Sequence, residues 1–452
     1  MSFTTTPSPR RRLLISCLSV LGLASLCYLL GAAVVFFDLP SATFLRRAFE
    51  GGAAWYEQGR TGAEGSGEQP TVNVGKIDKP DKTCDGFTLC LCSGGPQALL
   101  IDMHGDIVYR WNPPFKSVWP EHSRSRLGPV EESAVYFNDG RLFPNGDLLA
   151  LVEGPVDPRN PSNGIGLVKL DKDSRVSWTY AADCHHGFDL GEDGTIYTLS
   201  YNFFVKDLPR GLEYIPTPCM TDSVEVISPE GKQIKRIPIL EAFKDSPHAE
   251  LLSSLEKPQL FSDLTLAYSE IPPAVQVEIR RRDVLHTNAV KVLSRELAPK
   301  FPMFKPGQLL ISPRHLDAIA ILDPESGKVV WAARGPWHAQ HDPSFLENGH
   351  LLLLDNLGSA KGSRVLEYDL QAGSFPWSYP GDKGTPFVTR IRGGTQRLRN
   401  GNTLIVNSEN GGVFEVTPDR EMVWSCSFGR VSLNCARRYS PQQLPFLKKA
   451  PR

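Results

Sequence analysis

The sequence carries almost no excess of charge: 49 lysines and arginines face 50 aspartates and glutamates, a net charge of −1 over 452 residues. Nothing in that balance calls for nucleic acid or for an acidic partner. Metal-binding spacings are equally scarce. Cys90–Leu91–Cys92 has neither a second cysteine dyad nor a suitably spaced histidine, so no structural metal site is expected. Uncharged apolar runs of membrane-spanning length are rare too, and the one that stands out is Leu13–Phe37, directly after Arg10–Arg12.

That run is long enough to cross a bilayer as a helix. The cationic cluster before it predicts a cytoplasmic N-terminus, with everything after Asp38 exported. A cleaved signal peptide is the competing reading, but no clean small-x-small site ends the run and it exceeds the usual signal-peptide core. The expected division is a cytoplasmic tip and signal-anchor over 1–38, a stem and linker over 39–80, a folded domain over 81–440 and a tail over 441–452. In an exported domain, Cys426 with Cys435, and a pair among Cys84, Cys90 and Cys92, are candidates for local disulfides.

What the sequence has in abundance is turns. Its 39 glycines and 37 prolines favour short strands over long helices. One unit recurs: a strand, an Asn-Gly or similar turn, and an apolar strand. It appears at Pro144–Asn145–Gly146, Glu192–Asp193–Gly194, Lys305–Pro306–Gly307, Glu347–Asn348–Gly349 and Arg399–Asn400–Gly401. Such pairs suit two-residue hairpin turns needing positive φ. A second unit follows, an alternating strand pair closing near Trp111, Trp178, Ile237, Trp331, Trp377 and Trp424. The last three tryptophans are 46 and 47 residues apart. A repeated four-strand module of that length predicts an all-β fold, a six-bladed β-propeller. The wide gap between Ile237 and Trp331 holds a helical pattern from Ile239 to Glu256, read as a small helical insertion.

Histidines precede the hairpins: His185 and His186 before Asp193–Gly194, His286 before Gly307, and His341 before Asn348–Gly349. In a propeller, equivalent blade positions form a ring, so these imidazoles are expected to converge at one end of the channel with Arg314. Taken singly, each has a bland reading, a hydrogen-bonding loop histidine or a blade-to-blade ion pair.

Taken together, His185–His186, Asp283-x-x-His286-x-Asn288, Ser312–Pro313–Arg314, Gln340–His341–Asp342 and Asp355–Asn356 are similar to the motifs of the bacterial arylsulfate sulfotransferases. Ser363–Arg364 with Glu367–Tyr368, and Gln396–Arg397–Leu398 with Asn400–Gly401–Asn402, complete the set, and the resemblance spans roughly residues 99–425. It implies sulfuryl transfer from an aryl sulfate to a phenol by a ping-pong route without a nucleotide donor or other cofactor. His341 takes the place of the transiently sulfated nucleophile. His286, Arg314 and the His185/His186 pair, with His186 favoured, take the other catalytic places, and His185 and Asn288 are substrate-binding candidates. One departure is Gly187, where an acidic residue is expected. Trp337, Phe345, Phe387 and Tyr201 are candidate walls for a phenol pocket, and Asp342 a candidate orienter of an imidazole. His315, His338 and His350 are expected to be structural or solvated, and Asn356, Arg364 and Arg397 to serve blade packing.

The competing reading from another class is a non-catalytic propeller that binds a protein or glycan at the membrane surface. A quinoprotein dehydrogenase is a third, disfavoured by the histidines in entry loops and the lack of vicinal cysteines or a calcium-type carboxylate group. The sequence specifies no oligomeric state.

Overall fold

Each repeat folds as one antiparallel four-stranded sheet, and six of them form the ring. The computed structural model describes residues 75–119, 124–125, 128–129, 132–154, 164–204, 207–215, 217–255, 283–359, 362–380, 384–429 and 431–449. Blade 2 runs outward from its inner strand Tyr136–Leu142 through Leu148–Glu153 and Gly164–Leu170 to Val176–Ala181. Blade 3 begins at Cys184–Leu190, blade 4 at Thr287–Val292, blade 5 at His341–Phe345 and blade 6 at Gly394–Arg397. Blade 1 is composite. Its three outer strands, Phe87–Cys92, Ala98–Ile101 and Ile107–Trp111, come from the start of the domain, and its inner strand, Leu433–Tyr439, from the end. The short strand Lys76–Ile77, in the segment expected to be linker, adds to the outer edge of blade 6 by pairing with Trp424 and Ser425. The C-terminal segment is also packed, with Phe446 meeting Tyr109 edge-on at 5.2 Å.

The hairpin turns differ from expectation in one detail. In Phe143–Pro144–Asn145–Gly146 the Gly146 N–H donates to Phe143 O, the Phe143 N–H donates to Asp147 O, and only the glycine has positive φ. Gly194, Gly349 and Gly401 repeat the arrangement. This is a type I turn followed by a left-handed glycine, one residue longer than the two-residue hairpin.

The recurring tryptophans are clamps between neighbouring blades. Trp111 Nε1–H donates to Gly146 O of blade 2 at 3.1 Å, Trp377 to Pro418 O of blade 6 at 2.8 Å, and Trp424 to Met103 O of blade 1 at 2.8 Å. Trp178 lies so close to Gly231 of blade 3 that a Cβ there would meet its ring at 2.6 Å. Trp111, Trp377 and Trp424 thus pack against the next blade and satisfy their one donor in a single step.

Around the channel the inner strands are tied in sequence. Arg437 of blade 1 pairs with Asp139 of blade 2 at 2.8 Å, and Arg141 with Asp189 of blade 3 at 2.6 Å. Asp189 accepts from Val292 N–H of blade 4 at 2.9 Å. Lys291 pairs with Asp342 of blade 5 at 2.7 Å, and Asp342 accepts from Thr395 N–H of blade 6 at 2.9 Å. Gln396 then exchanges two hydrogen bonds with the backbone of Arg438, back in blade 1. These contacts add polar ties to the apolar packing between neighbouring blades.

The helical insertion is present as the helix Ile239–Lys244 and the 3₁₀ turn Ala249–Ser254, whose Ile239, Leu240, Phe243 and Leu252 pack into the core shared with blades 3 and 4. Among the described residues no helix is long and apolar enough to cross a membrane, and the run Leu13–Phe37 lies outside them. The expected disulfides do not form: Cys84, Cys90, Cys92, Cys184, Cys219, Cys426 and Cys435 are all free thiols.

Candidate active site

The site forms where the inner strands of blades 3, 4 and 5 begin. Each carries a β-bulge at its entry, between His185 and Phe188, Thr287 and Val290, and His341 and Ser344. Next to each bulge is a non-glycine residue in left-handed backbone: His186 at φ 61°, His286 at 47° and Asp342 at 49°. That conformation is disfavoured by about 1 kcal/mol or more, and here it re-aims three side chains off the pleat and toward the axis.

Buried carboxylates hold the strained turns. Glu153 accepts from the His186 N–H and from Asn138 Nδ2, both at 2.9 Å, while Asn138 also donates to His186 O. Asp283 accepts from the His286 N–H at 3.1 Å. Asp283 is itself pinned to blade 3 by a bridge to Met220.

Four imidazoles cluster as a result. The His186 ring stands 4.9 Å from that of His286 and 6.3 Å from that of His341. His185 joins through an Nδ1–Nδ1 hydrogen bond of 2.6 Å to His186. Behind it, His185 stacks on Tyr201 at 3.7 Å and faces Asp222 at 3.4 Å. His186, His341, Asn288 and Arg392 line the channel cavity, about 80 Å³ in volume and partly open to solvent.

The environments of these rings differ. Burial, with Arg314 and His286 nearby, pushes the His341 pKa down to about 3, so this ring is neutral near pH 7. Its Nδ1 faces two acceptors, Asn356 Oδ1 at 2.8 Å and Ala339 O at 3.1 Å. The amide orientation of Asn356 follows from its donations to Thr389 O and Arg392 O. The proton therefore sits on Nδ1 of His341, and Nε2 keeps its lone pair. Burial also lowers the His186 pKa, with the neighbouring His185 adding to the effect. His286 is the opposite case. Burial works against its charge, but the Asp283 carboxylate, 2.5 Å from Nδ1, wins and holds the pKa above the ordinary value. Arg314, at the end of the second strand of blade 4, donates its backbone N–H to His286 O, and its guanidinium forms no ion pair among the described residues. Burial lowers its pKa, opposed by Asp283 and Asp317.

The chain matches the arylsulfotransferase (ASST) family over residues 143–429, a stretch that includes all four imidazoles and Arg314. The chain belongs to the arylsulfotransferase family. No curated protein matches it. Solved structures that resemble it do so at low identity. A Bacteroides caccae protein of unknown function is 12% identical, with 77% of this chain and 97% of that one covered and a TM-score of 0.46. A streptogramin B lyase is 10% identical over 77% and 86%, with a TM-score of 0.39. The virginiamycin B lyase of Staphylococcus aureus, in a catalytically inactive form with quinupristin, is 9% identical over 78% and 87%, with a TM-score of 0.38.

Several expectations for this arylsulfotransferase-family chain are corrected by the geometry. His315 is a structural histidine, Nδ1 bonded to Asp283 O, and it also stacks on His286 at 5.0 Å. Asn356 packs between blades and also orients His341. Asp342 orients no imidazole, because its carboxylate is taken by Lys291 and Thr395. Trp337 packs on Tyr368 and Phe375, Phe345 on Phe301, and Phe387 on Tyr379 and Phe414, all in cores between strands and away from the channel. Of the four proposed aromatic walls only Tyr201 reaches the cluster. Asn288 lies at the cavity, with Nδ2 donated to Gln340 O at 2.7 Å. His338 pairs with Asp317 and His350 with Glu367, as structural histidines should, while Arg364 grips Asp355 and Arg397 grips Glu367 within and between blades. Gly187 is explained too: a Cβ there would lie 2.9 Å from Asp139 Oδ2, so the position has no room for an acidic side chain.

Proposed function

We propose that His341 accepts a sulfuryl group from an aryl sulfate and passes it to a phenol. The observation that carries this reading is the neutral His341 ring with its proton confined to Nδ1, which leaves Nε2 as a nucleophile beside two cationic groups. In the first step the Nε2 lone pair forms the N–S bond as the S–O(aryl) bond breaks. The electron pair of that bond goes to the phenolic oxygen, which takes a proton from His286. In the second step the acceptor oxygen attacks sulfur, the N–S bond breaks back to Nε2, and His286 receives the phenolic proton. Proton transfer of this kind contributes roughly 10²–10⁴-fold when the group is placed well.

Charge spread over three sulfuryl oxygens calls for fixed positive groups, as in phosphoryl transfer. Arg314 meets the need with an uncommitted planar guanidinium. His186, held neutral, shapes the cavity between His286 and His341, and His185 and Asn288 complete the substrate's polar surroundings. We also propose that Leu13–Phe37, following Arg10–Arg12, anchors the chain with the propeller on the exported side.

The test is nitrophenolate release from a nitrophenyl sulfate, with and without added phenol, together with transfer of ³⁵S from labelled donor to protein. Acceptor-dependent release and a label lost in His341→Ala support the reading. A folded protein that neither turns over a panel of aryl sulfates nor takes up label would leave the non-catalytic propeller.

A further inference from the structure

The channel rim has a second half that the family motifs do not mention. Opposite blades 3–5, the ring positions are filled by blades 6, 1 and 2, and one cation dominates them. Arg392 lies just before the inner strand of blade 6 in left-handed backbone, at φ 80°. Its carbonyl accepts from Asn356 Nδ2 at 2.9 Å, so the loop that orients His341 also fixes where Arg392 begins. The side chain then reaches across to blades 1 and 2. Nη1 donates to Asn434 Oδ1 at 3.0 Å and Nη2 to the Tyr136 hydroxyl at 2.8 Å, with the guanidinium over the Tyr136 ring at 5.2 Å.

The neighbouring Glu153 carboxylate is shared among several donors. Glu153 Oε2 is 3.8 Å from Nη2 and also accepts from the Tyr136 hydroxyl, while its Oε1 serves His186 and Asn138. Arg392 is 18% exposed and lines the same cavity as His186 and His341. Its charge is among the influences that keep His186 neutral, after burial and the other imidazoles. A guanidinium fastened on two sides and facing a nucleophile is preorganised for an anion.

We propose that Arg392 is a second cationic contact for the transferring sulfuryl group, holding its oxygens from the side of the channel opposite Arg314. The inference rests on the sulfuryl-transfer reading of the site. It assigns the anionic head of the substrate to a clamp between blade 4 and the blade 5–6 loop, and so makes the loop from Thr389 to Arg392 part of the catalytic apparatus.

The experiment compares wild type, Arg392→Gln, Arg392→Lys and Tyr136→Phe in steady-state turnover of a nitrophenyl sulfate, with equilibrium dialysis of ³⁵S-sulfate and thermal melts on the same samples. Arg392→Gln is expected to lower kcat about 100-fold and to weaken sulfate binding, with its melting temperature near that of wild type. Arg392→Lys should recover part of both, and Tyr136→Phe, which keeps the cation, should lose far less. Turnover and sulfate binding in Arg392→Gln within threefold of wild type would overturn the proposal, as would losses that track unfolding. If wild type turns over no aryl sulfate, the reading of the site fails separately. Sulfate binding then decides for Arg392 alone: its loss in Arg392→Gln supports the anion contact, and its persistence rejects it.

Discussion

Asn356 Oδ1 lies 2.8 Å from Nδ1 of His341, and both Nδ2 protons of the same amide are spent on the carbonyls of Thr389 and Arg392. The amide cannot turn over without losing all three bonds, so it dictates which nitrogen of His341 carries the proton. Removing it should leave the imidazole in place with only the longer contact to Ala339 O, at 3.1 Å, to hold the Nδ1 proton. Asn356→Ala is expected to lower kcat roughly 10- to 100-fold, as loss of the outer partner does for metal-bound imidazoles, with a smaller change in KM. Asn356→Asp keeps the acceptor but adds charge, so it should raise the His341 pKa and move the acid limb of the rate profile toward neutral pH. Steady-state kinetics across pH check both.

Asp283 and His286 set the other limb. The His286 pKa is raised because Asp283, though buried, holds it charged. Activity that needs His286 as an acid is therefore present at lower pH and lost as pH rises through that raised value. Asp283→Asn removes the support, leaves burial to act alone, and should shift the limb to lower pH. Stability follows the same direction: the pair's contribution is complete below the unfolded histidine value near 6.5 and disappears as pH rises through the folded one. His341 acts in the opposite sense, since its folded pKa of about 3 makes stability fall as pH drops from about 6.5 toward 3. Denaturant titrations at several pH values measure these terms.

Gly187 should not tolerate the acidic residue that the family pattern suggests. Gly187→Asp brings a Cβ to 2.9 Å from the Asp139 carboxylate, which Arg437 already holds on its other side. Overpacking of this kind costs about 1–3 kcal/mol, and the second negative charge adds to it. A clear fall in the denaturation midpoint is expected, and an unchanged midpoint would show that the bulge can open.

The cysteines should be inert in the native state. Burial raises Cys435 to about 12 and Cys426 to about 11, and raises Cys90, Cys92 and Cys184 as well. A thiol reagent at pH 8 should label almost none of the folded propeller and all seven thiols after denaturation. Rapid native labelling of one position would mean that its blade opens locally.

The fold was legible because its signals are local. Glycine turns and the 46- and 47-residue tryptophan spacing mark the blades, and the structure gives the reason in indoles that bond to the next blade. The motif histidines were legible as a group for the same reason, since each lies at an equivalent entry. Asp222, Glu153 and Arg392 were not, because their roles depend on which strand ends meet across the axis. Whether His315 is structural or solvated was not legible, because a stacked ring and a solvated one follow the same Pro–Arg–His sequence. The phenol-pocket aromatics failed on burial: Trp337 and Phe387 sit almost fully inside, and nothing in their spacing separates a core ring from a binding one.

The strand Leu433–Tyr439, which follows every other described strand of the ring, is the inner strand of the first blade. It also brings Asn434, the residue that fastens Arg392. Five blades can thus assemble around an open gap, and the ring closes only when this strand docks on Phe87–Cys92. A nonsense or frameshift lesion anywhere upstream of that point removes the seal and an anchor of the cavity together. Chains cut short before Leu433 should accordingly behave like early truncations, and go to proteolysis.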